Sequence, residues 1–460
     1  MTRRISYRGD ICTVRFIGHI PVWTEECYGI EWDDPARGKH DGTLNGIQYF
    51  EGRVPGACSF VKASKPKDTA KSFRQALIEK YTNNDQSQVI KVSRSKLVET
   101  VGAEKFAASH QQFEDLETVS LNGMCICGNG QPIELPNLQR LDLSSNLIES
   151  WSELWKICSC YPSLRSLILN GNRIEEIDIA NFSGLMNIIE LSLSSTLIVF
   201  EALQVAAILF PNVEVLNLSK NRFYTLPAIP FKVLKSLDLS ENCLTDAVYD
   251  IPILNLAYNN ISRLSLQLQS TIELNLAFNK FSEWTAIDDL ALKAPNLATL
   301  RLNGNPLSDA SENFDIFVIA RLATVKVLNG ITYSAPERRD AELFFMSKVA
   351  DGTITYDITS RRWFELCQLH GEPSKPTVTL NTIKSKLLEL HILHDNKLHH
   401  IKVFKTLTIQ KFKAMAAKKL GVPPYSLSLV NEQDETLDES RDIQYYGLEN
   451  GSVLTAILQP

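Results

Sequence analysis

Gly38, Lys39, His40, Asp41 and Gly42 set one cation, one imidazole and one carboxylate between two glycines, inside "YGIEWDDPARGKHDGTLNGIQYF". Alone, the pentapeptide reads as a tight turn, because Asp-Gly supplies the positive φ angles that a hairpin needs. The aromatic residues crowded around it, among them Trp32, Tyr49, Phe50 and Phe60, raise a second reading in which the turn holds something.

Two other clusters invite a chemical reading. Cys125/Cys127 and Cys158/Cys160 form two Cys-x-Cys pairs, but they lack the two-residue spacer usual in four-thiolate zinc sites and sit in apolar, repeat-like surroundings. "HILHDNKLHH" (391–400) is rich in histidine, yet strand and turn positions are expected to scatter its rings, so no metal site is expected. Enzyme signatures are missing. "RGKHD" has neither the upstream glycine nor the following Ser/Thr of a phosphate-binding loop, and neither HExxH nor GxSxG occurs. No catalytic residue and no cofactor are expected.

The chain has 460 residues, 44% of them hydrophobic, which leaves room for more than one core. Its formal net charge of -6 advertises neither nucleic acid nor an anionic membrane as a partner. Nine scattered cysteines fit reduced, buried thiols better than a secreted disulfide framework. The amino terminus lacks a signal-peptide core and no run approaches the roughly 20 apolar residues of a membrane span, so a cytoplasmic protein is expected.

A repeat runs from about residue 116: "LQRLDLSSNLI" (138–148), "LRSLILNGNRI" (164–174), "IIELSLSSTLI" (188–198), "VEVLNLSKNRF" (213–223), "LKSLDLSENCL" (234–244), "IPILNLAYNNI" (251–261), "TIELNLAFNKF" (271–281) and "LATLRLNGNPL" (297–307). This LxxLxLxxNxL spacing is the signature of leucine-rich repeats, in which two leucines point inward from a short strand and the asparagine satisfies backbone groups where the chain bends away. An α/β solenoid over 116–350 follows. Thr196 stands where the other repeats carry asparagine, so the ladder should be weaker there. The register turns Asp142, Ile168, Ser192, Asn217, Asp238, Asn255, Asn275 and Arg301 outward, a mostly small, polar row suited to a protein interface. Glu337, Arg338 and Arg339 are expected to open a capping helix whose Leu343 and Phe344 close the core.

Residues 66–115 read as a linker plus helices leading into the solenoid, with helical spacing at Phe73, Leu77 and Tyr81. Residues 351–378 read as a second linker. From 379 to 460, two strands, an amphipathic helix between Thr408 and Gly421, and further strands resemble the α+β ubiquitin-like grasp fold. The chain ends "ILQP", so conjugation is not expected, and a built-in docking module is.

Residues 1–65 carry short β-type runs broken by glycine, proline and aspartate, as in a small β-barrel. The order of "VRFIG", "YGIEWDDPARGKHDGT", "YF" and "SFVK" resembles the CAP-Gly domain, a module whose groove takes acidic carboxy-terminal tails. The resemblance implies that Lys39 contacts tail carboxylates, that Asp41 orders the loop through backbone hydrogen bonds, that Gly38 and Gly42 admit a peptide, and that Trp32, Tyr49, Phe50 and Phe60 wall a terminal tyrosine. The family's usual pentapeptide is GKNDG. His40 replaces its asparagine, which keeps hydrogen-bonding capacity and introduces pH sensitivity.

The three modules in this order make the whole chain similar to the family of tubulin-folding cofactors E. The resemblance implies a cytoplasmic, cytoskeleton-associated chaperone that binds α-tubulin and works with cofactors B, C and D, β-tubulin arriving through cofactor D, to assemble or dissociate the heterodimer. A ubiquitin-pathway adaptor docking on the proteasome, and a microtubule-binding adaptor, are the rival readings.

Overall fold

The computed structural model describes residues 3–82, 113–128, 130, 132–175, 183–225, 229–247, 249–373, 387–395 and 397–458. They fall into two compact units, Met1–Asn260 and Ile261–Pro460, divided inside the repeat series. Most of the lead-in expected over 66–115 lies outside the described residues, as does the end of the second expected linker.

The first unit opens with antiparallel strands β1 (Arg3–Tyr7), β2 (Asp10–Gly18) and β3 (Cys27–Trp32), a small ribbon of β4 (Thr43–Leu44) and β5 (Ile47–Gln48), and β6 (Cys58–Lys62) paired to β3. Side-chain alternation sends Cys12, Val14, Ile30, Trp32 and Val61 to one core with Ile5 and Tyr7. The exit from this domain is anchored. Asp68 accepts hydrogen bonds from Ser6 Oγ (2.6 Å) and the Gly9 amide (2.8 Å), Lys71 bridges to Ile126, and the helix Phe73–Thr82 buries Phe73 and Leu77.

Seven described three-residue strands follow: β7 (Thr118–Ser120), β8 (Arg140–Asp142), β9 (Ser166–Ile168), β10 (Glu190–Ser192), β11 (Val215–Asn217), β12 (Ser236–Asp238) and β13 (Ile253–Asn255). Neighbours pair in parallel with their central residues in register, Val119 beside Leu141, Leu141 beside Leu167 and Leu191 beside Leu216. The asparagines carry the turns between strands. Asn221 accepts from the Thr196 amide (2.9 Å) and donates to the carbonyls of Leu193 (2.8 Å) and Leu218 (3.0 Å), so one buried amide satisfies groups of two repeats. Thr196 breaks this pattern: its hydroxyl bonds its own Leu193 carbonyl (2.8 Å), and the Asn172 amide turns to the Leu169 carbonyl (3.3 Å). The Arg173 guanidinium reaches the Ser195 carbonyl across the same joint.

Within this unit the β domain is docked on the first repeats by ionic contacts the sequence patterns did not announce. Arg4, 4% exposed, grips Asp33 with two bonds (2.7 and 2.6 Å) and donates to the carbonyls of Asn146 and Gly171 (3.3 Å each), while its backbone amide meets the Glu149 carboxylate. Arg15 bonds Glu31 (3.0 Å) on its own domain and holds Glu175 of the repeats with two bonds (3.1 and 2.9 Å); Arg53 adds a contact to Glu175 at 3.2 Å. Burial pushes the Glu175 carboxyl up, but Arg15 and Arg53 outweigh it and hold the group below the usual carboxylate range.

In the second unit, β14 (Glu273–Asn275), β15 (Thr299–Arg301) and β16 (Val327–Leu328) are parallel and β17 (Ile331–Thr332) turns back antiparallel. The helix Ala335–Ala350 starts with a capping box between Ser334 and Glu337, and Arg338 caps the carbonyls of Ile319 (2.7 Å) and Leu322 (3.1 Å). Phe344 and Phe345 are buried and Leu343 is only half-buried, so the core-facing stripe lies one position further along than expected.

The linker expected over 351–378 is corrected by the helix Arg361–His370, whose Trp363 and Leu366 pack with Ala320, Phe345 and Met346. Arg362 (2.7 Å) and His370 (2.7 Å) meet on the buried Glu342 carboxylate, which pins this helix to the preceding one. The last sheet runs β19-β18-β21-β20, built from β18 (Leu387–His394), β19 (Lys397–Phe404), β20 (Leu427–Val430) and β21 (Val453–Leu458). Its central pair, β18 and β21, is parallel, and the helix Ile409–Leu420 buries Ile409, Phe412 and Ala416 against Leu388, Leu390 and Ile392. Gly421 ends that helix in the left-handed conformation (φ 72°), as the sequence suggested.

Candidate functional site

The pentapeptide folds against β6. The Lys39 and His40 amides both donate to the Cys58 carbonyl (2.8 and 3.2 Å), and the Cys58 amide returns a bond to the His40 carbonyl (3.0 Å). Asp41 accepts from the Thr43 amide (3.0 Å), which closes the turn and holds its carboxyl below the usual range. Lys39 and Asp41 are exposed on the rim.

The two glycines are required by close backbone packing inside the domain. A methyl group on Gly38 would lie 1.9 Å from the Gly56 carbonyl oxygen, and one on Gly42 would lie 2.0 Å from that of Phe50, at a φ of +103°. At both positions glycine is needed so that the turn can pack against the chain's own backbone.

Beside this turn stands a half-exposed aromatic cluster centred on Phe60. His40 lies tilted over it (5.0 Å), Tyr49 and Phe50 meet it edge-on (5.5 Å each), and Phe16 closes the group against Tyr49 at 5.4 Å. Phe16 was absent from the sequence-based set, although its place in the strand "DICTVRFIG", where it pairs with Gly29, is the signal that finds it. Trp32 must be removed from that set. Alternation along β3 turns it with Ile30 to the opposite face, where it is 5% exposed, meets Tyr7 edge-on and donates its indole N–H to Ser59 (3.2 Å).

His40 Nδ1 accepts the Gly42 amide at 3.0 Å, so the neutral ring carries its proton on Nε2. Burial is the main cause that pushes its pKa down; Asp41 opposes this and Lys39 adds to it. A depressed folded pKa means that the loop's stabilisation is fully present above the free-imidazole value of about 6.5 and is lost as pH falls below it through the lowered folded-state value. Acidification from about pH 7.5 to about 5.5 is therefore expected to weaken binding of an acidic-aromatic peptide severalfold, and His40→Asn, which keeps an acceptor without a titration, should flatten the profile. Titration calorimetry across that range checks this, and a flat wild-type profile would count against it.

The outward row of the repeats is where the register put it, but much of it is committed to the fold. Asp142, Asn217, Asp238, Asn255 and Asn275 each accept the amide two residues on, at 2.8–3.2 Å, closing the turn after the strand. Ser192 donates to Asn170 (2.7 Å), Ile168 is half-buried and Arg301 is exposed. Several strands offer a second outward residue that went unnamed, among them Arg140, Glu190, Val215 and Ile253; the last two are 41% and 43% exposed. Period-two alternation around the central leucine is the signal that would have found them.

The remaining clusters divide. Burial pushes the Cys158 thiol up to about 12, as suits a packed, protonated thiol. The scatter expected of the histidines fails for one pair, because the strand register sets His391 directly opposite His400.

Residues 1–66 match the model of the CAP-Gly domain, and residues 163–185 and 232–247 match leucine-rich repeat models. The chain is 29% identical over 495 residues to protein PAC2 of Saccharomyces cerevisiae, which spans 98% of this chain and 95% of that protein. It is 29% identical over 403 residues to tubulin-folding cofactor E of Arabidopsis thaliana, covering 78% and 75%. Tubulin-specific chaperone E of Homo sapiens is 28% identical over 514 residues, covering 98% and 97%. The similarity to tubulin-specific chaperones E thus spans both chains almost end to end, and not the β domain alone.

Proposed function

We propose that the chain is a tubulin-specific chaperone that binds α-tubulin and, with other folding cofactors, assembles or dissociates the αβ heterodimer. The observation that carries this reading is the end-to-end similarity to proteins named as tubulin chaperones. The chain works as a set of binding surfaces, not as an enzyme, in the cytoplasm and on the cytoskeleton, and cofactors B, C and D are its partners.

The aromatic cluster around Phe60 takes the terminal aromatic residue of an acidic tail, and Lys39 on its rim meets the tail carboxylates. The two outward rows of the repeats face the folded body of tubulin. The last sheet is a ubiquitin-like grasp, a reading supported by its parallel central pair and the helix laid across it, and it serves as a docking module.

The test mixes purified protein with αβ-tubulin, with and without cofactor B, and follows subunit content by native gel. Loss of dimer with α-tubulin retained in a new complex is expected; an intact dimer and binding only to polymer would mean an adaptor instead. For the groove, Lys39→Ala is expected to weaken a Glu-Glu-Tyr tail peptide by about tenfold with an unchanged melting temperature, as for loss of a charge-assisted hydrogen bond. Unchanged affinity would remove Lys39 from the site.

A further inference from the structure

We infer that Glu389, His391 and His400 form a binding site for a divalent transition-metal ion, zinc by preference, on the solvent face of the β18–β19 hairpin. His391 and His400 are direct cross-strand partners with ring centroids 4.4 Å apart, and one ligand atom from each of the three residues lies within 4.8 Å of the others. Tetrahedral zinc holds imidazole nitrogens at about 2.0–2.1 Å, which separates ligand atoms by about 3.3 Å. Small side-chain rotations close the remaining distance on a backbone that needs no movement.

The strand pattern makes this arrangement durable. Leu388, Leu390 and Ile392 anchor one face of β18 in the core, which obliges Glu389 and His391 to share the other face. Ile401 and Val403 do the same for β19 and turn His400 outward beside them. Two imidazoles and one carboxylate are the donor set that favours zinc and its later first-row neighbours over magnesium or calcium. A fourth position stays open. Glu389 and His400 also line a cavity of about 440 Å³ shared with Glu312 and Lys402, which leaves room beside the site for water or a further ligand. Lys402 stands opposite Glu389 in the register, but its ammonium lies 3.5 Å from Glu312, which draws the competing charge aside. Bound metal would cross-link β18 to β19 and brace the sheet edge.

The test uses the full-length chain and cobalt(II) as a spectroscopic probe, followed by displacement with zinc chloride. One cobalt per chain is expected, with the ligand-field absorption of a nitrogen and oxygen site and no thiolate charge transfer. His391→Ala and His400→Ala should each lose affinity by about tenfold or more. His399→Ala, whose ring the alternation turns to the other face, should keep it. Glu389→Gln changes an exposed residue, cannot be confused with unfolding, and should lose affinity severalfold. Unchanged affinity in the two histidine variants, or a thiolate band that places the ion on the cysteines, would overturn the assignment.

Discussion

Arg4→Ala is expected to release the amino-terminal β domain from the first repeats and to cost about 3 kcal/mol or more of stability, the scale for removing one partner of a buried ion pair. The Arg4 side chain is 1% exposed against Asp33 at 2.6 Å. Its loss strands the Asp33 carboxylate, whose next guanidinium, that of Arg173, is 3.8 Å away, and deprives the Asn146 and Gly171 carbonyls of a donor. Chemical denaturation should show the single transition of the first unit split into two, and limited proteolysis should begin cutting near Asp68. A variant with wild-type midpoint and cleavage pattern would refute the account.

Acid should act on the same seam. Glu175 has a depressed carboxyl pKa, so its contribution is fully present above the ordinary carboxylate range and is lost as pH falls below that range through the lowered folded-state value. A docked domain also alters how the two surfaces of this unit cooperate. Under the proposed function, a tail held at Phe60 would stand at a set distance from the outward rows of this unit, and the gain in effective concentration would come from rigid presentation instead of a loose tether.

Gly42→Ala is expected to abolish tail-peptide binding and to lower the stability of the β domain by several kcal/mol. The new methyl would stand 2.0 Å from the Phe50 carbonyl oxygen on a backbone with φ of +103°, so both sterics and conformation oppose it. Relief requires the turn to leave Phe50, and Phe50 is one of the rings against which Phe60 packs (5.5 Å). Paired with Lys39→Ala, the variant separates scaffold from contact: the lysine change should cost affinity alone, the glycine change both affinity and denaturation midpoint. Wild-type values for Gly42→Ala in both measurements would mean that the turn tolerates displacement.

Residue patterns with a fixed period were legible in the sequence. The leucine and asparagine spacing placed strands β8 to β15 with their central leucines inward, and it singled out Thr196 as the joint where the amide ladder is interrupted. Thr408 and Gly421 bounded a helix for reasons of backbone conformation that act within a few residues. The site was legible in part. The pentapeptide and Tyr49, Phe50 and Phe60 come together, whereas proximity in sequence wrongly enrolled Trp32 and passed over Phe16, because which face of a sheet a side chain takes depends on strand alternation and pairing.

The sequence alone determined the repeat series, its inward leucines and the chemistry available at the turn, since each follows from local period or residue type. Tertiary structure alone decided the docking of the β domain through Arg4, Arg15 and Glu175, the packing of the helix Arg361–His370 and the meeting of His391 with His400. Those contacts join residues as much as 167 positions apart, as from Arg4 to Gly171, and no local pattern encodes such a pairing. They exist because the fold brings opposite charges, apolar faces or facing strands within a few ångströms, where burial and geometry set what each group can do.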